Sequence, residues 1–197
     1  RLIPHFDVLI ENFRPGVMER FGLGADALTE RCPRLVYCGI SGFGAEGPSR
    51  DRPGFDQIAQ GMSGLMSLTG FTEGEPTRVG IPISDLLAGM WGALGVTAAV
   101  AQRHTTGKGQ RVETSLLAAM VGMLCVQGQR HLSLDEVPNR MGNDHPVIYP
   151  YGAFTAKDGL INVAVGTQDM WAALCRVLDL ESLKDHPDFA DNTGRSA

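Results

Sequence analysis

The chain has 197 residues, of which 43% are hydrophobic and 20% charged, a composition typical of a globular protein with one large domain or two small ones. Its net charge of −5 argues against the basic surface with which most nucleic-acid-binding proteins recognise their partners. A phosphorylated small molecule is still compatible with this charge, because a few arginines placed together are enough to bind one.

The first 40 residues alternate between strand-like and helix-like segments. Residues 8–10 predict a short buried strand, 17–21 and 25–31 predict short helices, and 35–40 predict a second buried strand. Strand, helix and strand at this spacing are typical of a parallel α/β unit.

The middle of the chain carries the strongest helical pattern. A loop rich in glycine and proline at 41–54 precedes a predicted helix at 55–68, and the most apolar helix covers 86–104. Its uninterrupted apolar stretch, 86–101, is shorter than the ~18 residues of a membrane span. Because this stretch is also rich in glycine and alanine, we expect a core helix that packs closely on its neighbours rather than one that contacts a membrane.

One more strand and helix precede a change of character in the sequence. Residues 111–115 predict a strand and 116–132 an apolar helix. The polar stretch from 135 to 152 contains three prolines, which predicts a linker.

The C-terminal part has a pattern of its own. A β-hairpin is predicted around the turn Lys157–Gly159, and Thr167 is placed to cap the helix that follows. We therefore expect a boundary near residue 140, with one domain in 1–139 and a linker and the start of a smaller α+β domain in 140–197.

The cysteines show no metal or disulfide pattern. None belongs to a CxxC pair and no cluster of histidines accompanies them, so we expect reduced thiols in a cytoplasmic protein and no metal site. The four cysteines are Cys32, Cys38, Cys125 and Cys175. No signal peptide is visible, and the chain begins at Arg1, close to its first strand, which predicts a fragment of a longer protein.

The loop after the second predicted strand matches a dinucleotide-binding motif in its glycine spacing but not in its structural context. Gly42, Gly44 and Gly47 have the spacing GxGxxG, but such a motif must open a helix whose free N–H groups meet the pyrophosphate. Here Pro48 and a polar run follow at once. We therefore interpret the segment as a flexible loop and do not expect NAD to bind.

Asp85 is a single carboxylate at the start of the most apolar helix. A carboxylate in this place is either a helix N-cap or a nucleophile. Composition alone favours an N-cap, with Ser84 sharing that role.

The segment Asn12–Gly16 directly follows a predicted strand, where ligands bind in many α/β folds. Asn12, Phe13, Arg14 and, a turn further on, Arg20 could hold an adenine ring and phosphate groups. Without further information, a solvated loop with surface arginines is the favoured interpretation.

Several short motifs, in order along nearly the whole chain, resemble the family III CoA-transferases, the CaiB/BaiF type that includes formyl-CoA transferase. Each motif is modest, whereas their order and spacing together are specific. They are Glu11–Gly22, Ile40–Gly44, Arg52–Gln60, Ser84–Asp85, Thr106–Gln110, Arg140–Asn143, Pro150–Gly152 and Asp158–Gly159.

This resemblance implies a Rossmann-like large domain, with flanking helices on its parallel sheet, followed by a linker and part of a small domain. It implies interlocked homodimers for the full-length protein, and a chain that corresponds to about the middle half of a family member. Asp85 matches the catalytic aspartate, which attacks an acyl-CoA and passes coenzyme A to a small carboxylic acid. Coenzyme A is then a substrate, and no permanently bound cofactor is implied. The matching CoA contacts are Asn12, Phe13, Arg14, Arg20, Gly54, Phe55 and Asp56.

Two alternative functions stay open. The α-methylacyl-CoA racemases of the same superfamily pair the aspartate with a histidine that directly precedes an Asp. This chain has Phe55 before Asp56, and a phenyl ring cannot transfer a proton. The second alternative is a non-catalytic CoA-binding fragment.

Overall fold

The computed structural model describes residues 2–196. These residues form two compact units, each with more contacts inside it than to the other. The first unit extends to Thr69 and resumes from Pro76 to Asn139, and the second unit consists of Gly70–Glu75 and the chain from Arg140 onward. The sequence prediction assigned all of 1–139 to one domain, whereas Gly70–Glu75 groups with the second unit. That the two units are parts of the large and the small domain of a longer protein stays a prediction.

The first unit contains three strands and seven α-helices among the described residues. In chain order they are β1 Val8–Glu11, α1 Val17–Arg20, α2 Ala25–Arg31, β2 Val36–Ser41, α3 Asp56–Met62, α4 Leu65–Leu68, α5 Ile83–Thr106, β3 Arg111–Ser115, α6 Leu116–Met123 and α7 Cys125–Leu134. A 3₁₀ turn, Ile3–His5, precedes β1.

The strands form one sheet in the order β1-β2-β3, and both pairings are parallel. Val8 lies opposite Val36, and Tyr37 lies opposite Arg111. This arrangement confirms the predicted α/β fold with a parallel sheet and flanking helices. Parallel strands end at the same edge of the sheet, so the loops after β1, β2 and β3 meet there.

Helices cover both faces of this sheet. On one face Tyr37 packs with Ala25 and Leu28 of α2. On the other face α5 lies close to β2 and β3, because Gly92 and Gly95 have no side chains to hold it away. A Cβ atom at Gly95 would lie 2.6 Å from a methyl group of Val112, closer than van der Waals contact allows.

Two helices predicted as continuous are interrupted. The helix predicted at 55–68 breaks between α3 and α4, where Gly64 has a left-handed backbone with φ of 88°. The helix predicted at 116–132 breaks after Leu124, because Cys125 has φ of 46°. Both predictions of a single helix were wrong. The hydrophobic periodicity continues across each break, so it does not reveal the one residue that leaves the helical conformation.

The strongest predicted helix is only partly a core helix. Among the residues that the structure describes, α5 is the one helix long and apolar enough to cross a membrane by length and composition. Only 22% of that apolar window is buried within the structure. Leu86, Met90 and Leu94 are exposed along one side, and Trp91 is 44% exposed. The expectation of close packing therefore holds for the sheet-facing side alone.

The second unit contains an antiparallel hairpin and three short or medium α-helices within its described part. They are β4 Tyr151–Ala156, β5 Gly159–Ala164, α8 Gln168–Val177, α9 Glu181–Lys184 and α10 Asn192–Arg195. The predicted hairpin turn and the Thr167 cap are confirmed, since Thr167 accepts a hydrogen bond from the Met170 N–H. Val165, Trp171 and Cys175 form its core.

Two glycines make a close backbone contact at the sheet edge. A Cβ atom added to Gly54 would overlap the backbone of Gly42, and the reverse also holds. Gly42 follows β2 and Gly54 precedes α3, so this contact sets where α3 begins relative to the sheet. The role of Gly42 is thus close approach of two chain segments.

We predict that Gly54→Ala lowers the free energy of unfolding by about 1–3 kcal/mol, because the added methyl group must push two backbones apart. Gly89→Ala is the matched control. Gly89 lies within α5 with nothing near its missing Cβ, so alanine there should stabilise the helix by about 0.5–1 kcal/mol. Urea unfolding measures both changes, and equal effects of the two variants would contradict the close contact.

Candidate active site

The carboxyl ends of the parallel strands and the start of α5 enclose two adjoining cavities that share Asp85. The larger, of about 500 Å³, also contacts Asp56 and Gly89. The smaller, of about 180 Å³, contacts Arg14 and Arg52. We call the two together the Asp85 cleft. The residues common to both are Asn12, Ile40, Gly54, Phe55, Asp85 and Leu116.

The loop after β1 is held in place by two side chains. The Asn12 amide donates a hydrogen bond to the Ile40 carbonyl at 2.9 Å, which ties the loop to the end of β2. The Glu11 carboxylate accepts the Phe13 N–H at 2.7 Å and the Tyr37 hydroxyl at 3.3 Å. With the backbone fixed in this way, the side chains of Phe13 and Arg14 are exposed at the cleft.

The segment before α3 supplies the facing wall. Phe55 is 66% exposed, and the Arg52 guanidinium lies 5.7 Å from the centre of the Phe43 ring. An aromatic ring and an arginine therefore lie on each side of the cleft. Rings of this kind can stack on a base, and guanidinium groups bind phosphates.

Asp56 accepts hydrogen bonds from the N-terminus of α5. Its Oδ1 accepts the Ser84 N–H at 2.9 Å and the Ser84 hydroxyl at 2.8 Å. Its Oδ2 accepts the Gln60 side-chain amide at 2.7 Å. Ser84 and Gln60 are completely buried, so these hydrogen bonds replace contacts with water that neither side chain can make.

Asp85 lies in the first turn of α5 and is not its cap. The N-cap residue is Pro82, and no side-chain hydrogen bond caps that position. The interpretation of Asp85 and Ser84 as a shared N-cap is therefore wrong, and Asp56, from a different helix, accepts the Ser84 N–H. The Asp85 side chain is exposed to the cleft.

The environment moves the pKa values of these two carboxylates in opposite directions. Partial burial, followed by the negative charge of Asp56, raises the pKa of Asp85. Burial also acts to raise the pKa of Asp56, but hydrogen bonds from Ser84, Gln60 and the Asp85 backbone outweigh it and lower that pKa. Two neighbouring acids whose pKa values are pushed apart are a frequent feature of active sites.

The structure brings together seven of the eight residues predicted for the site, namely Asn12, Phe13, Arg14, Gly54, Phe55, Asp56 and Asp85. Arg20 is exposed on α1 and does not line the cleft. Arg52 and Gln60 were not predicted from the sequence, although they are the first and last residues of the Arg52–Gln60 motif. Within residues 2–196 no group of three or more metal-binding side chains occurs.

Known proteins match this chain over its full length. The sequence profile of CoA-transferase family III matches residues 1–197. A succinate–glutarate CoA-transferase from Agrobacterium fabrum is 36% identical over 197 residues, which are 100% of this chain and 49% of that protein. A succinyl-CoA:mesaconate CoA-transferase from Haloarcula hispanica is 40% identical over 193 residues, 95% of this chain and 48% of the relative.

A solved structure has the same fold. A CaiB/BaiF family protein from Brucella suis superimposes with a TM-score of 0.82 at 36% identity, over 98% of this chain and 51% of that one. The chain thus spans about half the length of the curated relatives it matches.

We predict opposite effects on stability for the two acids. Asp56→Ala should lower the free energy of unfolding by about 2–4 kcal/mol, because Ser84 and Gln60 lose a charged acceptor in a buried place. Asp85→Asn should leave the unfolding midpoint unchanged or raise it by up to about 3 °C, since ionised Asp85 lies beside another negative charge.

The pH dependence distinguishes these effects. The pKa of Asp85 is raised on folding, so any gain from Asp85→Asn should be present at neutral pH and vanish below the ordinary value of about 3.9. The pKa of Asp56 is lowered, so its contribution should persist at neutral pH and decrease as pH falls below that ordinary value. Thermal unfolding between pH 3 and 8, with exposed Glu30→Gln as control, measures both. A loss of stability in Asp85→Asn at neutral pH would contradict this assignment.

Proposed function

The chain belongs to CoA-transferase family III, and from that membership we propose that it transfers coenzyme A from an acyl-CoA to a carboxylic acid with Asp85 as the covalent nucleophile. The observation that carries the proposal is the position of Asp85. It is exposed in a cleft that also contains all the predicted CoA contacts except Arg20, and Asp56, not Asp85, accepts the Ser84 N–H at the start of α5.

The smaller cavity suits the nucleotide end of coenzyme A. Phe13 and Phe55 offer exposed ring faces for the adenine, and Arg14 and Arg52 offer guanidinium groups for the phosphates. Both cavities contain Asp85, so a pantetheine arm that runs from one to the other would bring its thioester to that carboxylate.

The reaction proposed for Asp85 proceeds through two kinds of covalent intermediate. A carboxylate oxygen of Asp85 attacks the thioester carbonyl carbon, the C–S bond breaks, and CoA leaves as a thiolate from the mixed anhydride. The thiolate then attacks the side-chain carbonyl carbon of Asp85 and expels the donor acid as a carboxylate. Asp85 is now a thioester of CoA.

The second half repeats these steps with the acceptor. The acceptor carboxylate attacks the Asp85 thioester and displaces CoA thiolate, which attacks the acceptor carbonyl of the new anhydride. The product acyl-CoA leaves, and the Asp85 carboxylate is restored. No net proton is consumed, and the thiol pKa of about 8.5 lets thiolate leave with little acid assistance.

We propose small dicarboxylic acids as the substrate class. The named relatives act on succinate with glutarate and on succinyl-CoA with mesaconate.

We further propose a cytoplasmic homodimer with no membrane contact. All four cysteines are free, as expected of a reducing compartment. Leu86, Met90 and Leu94 expose apolar surface along α5 that a second copy of the chain would cover.

The racemase alternative has little support from the cleft. Its chemistry requires a histidine next to the aspartate to move a proton at the carbon beside the thioester. Among the described residues that line the Asp85 cleft there is no histidine, and Phe55 stands at the matching position.

Covalent trapping tests the proposal in the protein expressed from its complete gene. After incubation with succinyl-CoA and then hydroxylamine, peptide mass spectrometry should find the modification on Asp85, and borohydride should reduce the same residue. Asp85→Asn should lower kcat at least about 1,000-fold and abolish labelling. Turnover of acyl-CoA with unmodified Asp85 would contradict the nucleophile, and CoA binding without turnover would leave a binding function.

Arginine variants test the orientation of coenzyme A. Arg14→Gln should raise KM for acyl-CoA about 10-fold or more through loss of a charge-assisted hydrogen bond, with kcat less affected. Arg31→Gln, on the exposed end of α2, is the control and should leave KM unchanged. Arg20→Gln tests the prediction from sequence that Arg20 contacts CoA, and an effect larger than that of Arg14→Gln would overturn the orientation proposed here.

A further inference from the structure

We infer that Asp56 is a positioning residue of the transfer reaction, which takes the hydrogen bonds of the α5 N-terminus so that the Asp85 carboxylate is left free to attack. The inference rests on the proposed function. It also differs from the sequence prediction, which placed Asp56 among the CoA contacts.

The competition arises from the start of α5. The first N–H groups of a helix have no partners within the helix, and an acidic side chain in the first turn commonly accepts them. Asp85 is the third residue of α5, and the N-cap Pro82 has no side-chain acceptor of its own. Without another acceptor, the N–H of buried Ser84 would have no partner, and the neighbouring Asp85 carboxylate would be an acceptor within the same turn.

Asp56 supplies that acceptor from α3. It accepts the Ser84 N–H and hydroxyl at 2.9 and 2.8 Å. The hydrogen bond to the Ser84 N–H fixes the backbone immediately before the nucleophile. Asp85 itself is exposed to the cleft.

The Asp56 carboxylate is held by a buried network. The Gln60 side-chain amide donates to it at 2.7 Å, and the Oε1 atom of the same amide accepts the Val79 N–H at 2.8 Å. Gln60 also donates to the Ile81 carbonyl at 3.4 Å, just before α5 begins. These bonds join α3, the segment before α5 and the first turn of α5, so Asp56 cannot reorient without breaking several of them.

The same hydrogen bonds prevent Asp56 from acting as the nucleophile. Both its oxygens already accept short hydrogen bonds and its side chain is half-buried, whereas Asp85 is exposed. Asp56 therefore binds the N-terminus of α5, and Asp85 is left to face the substrate.

Charge is the second contribution of Asp56. A helix N-terminus favours the anionic form of a nearby carboxylate, which makes it a weaker nucleophile. The negative charge of Asp56 at the same helix end opposes this effect and keeps Asp85 more basic. The other charged groups lining the cleft are Arg14, after β1, and Arg52, before α3, which act in the opposite direction.

Asp56→Asn separates these contributions from mere folding, because the asparagine carbonyl oxygen can still accept from Ser84. We expect kcat to fall about 10- to 100-fold while KM for acyl-CoA changes less than about 3-fold. The acidic limb of the pH profile of kcat/KM should move to lower pH, since Asp85 then ionises more readily. The rate of hydroxylamine trapping at Asp85 should fall in parallel with kcat.

Two comparison variants complete the experiment. Asp56→Glu keeps the negative charge, so its acidic limb should stay at the wild-type position even where the longer side chain lowers kcat. Glu30→Gln, an exposed acid on α2, should match wild type in every measurement.

The outcomes separate the inference from the proposed function. Trapping at Asp85 in the wild type, together with an Asp56→Asn variant that only raises KM or leaves the acidic limb in place, overturns the positioning role and leaves the proposed function standing. Wild-type turnover without trapping at Asp85 overturns both.

Discussion

The hydrogen bonds between the Asp56 carboxylate and the first turn of α5 are the constraint on which the site depends. They satisfy the Ser84 N–H, one of the backbone groups that a helix start leaves without a partner in the helix, and they do so from another helix. A buried amide and a buried hydroxyl, those of Gln60 and Ser84, are satisfied at the same time. Asp85 consequently keeps its side chain in the cleft, where a reacting carboxylate must be.

Close backbone approach makes this arrangement possible. Gly42 and Gly54 meet without side chains between them, so the segment that leads into α3 lies directly against the end of β2. Gly92 and Gly95 have the same effect on the other side of the site, where α5 approaches β2 and β3. The glycines near the cleft therefore serve to bring Asp56 and Asp85 within reach of each other.

The cleft belongs entirely to the first unit, although the chain covers about half of its relatives. The elements that would bind CoA and attack its thioester are thus local to one three-stranded sheet. The parallel topology explains this locality, because the loops after successive strands meet at one edge. The side of α5 around Met90 is exposed, so this sheet does not determine what covers it.

The sequence by itself determined the α/β pattern, the parallel sheet and the segments that line the cleft, because hydrophobic periodicity and motif order are local properties of the chain. Motif order also singled out Asp85, which lies in the cleft. Only the tertiary structure decided that Asp56 caps α5 and that Arg20 lies away from the cleft, since both depend on which distant segments come into contact. A capping hydrogen bond across 28 residues has no local signature, and neither has an exposed apolar helix face like that of α5.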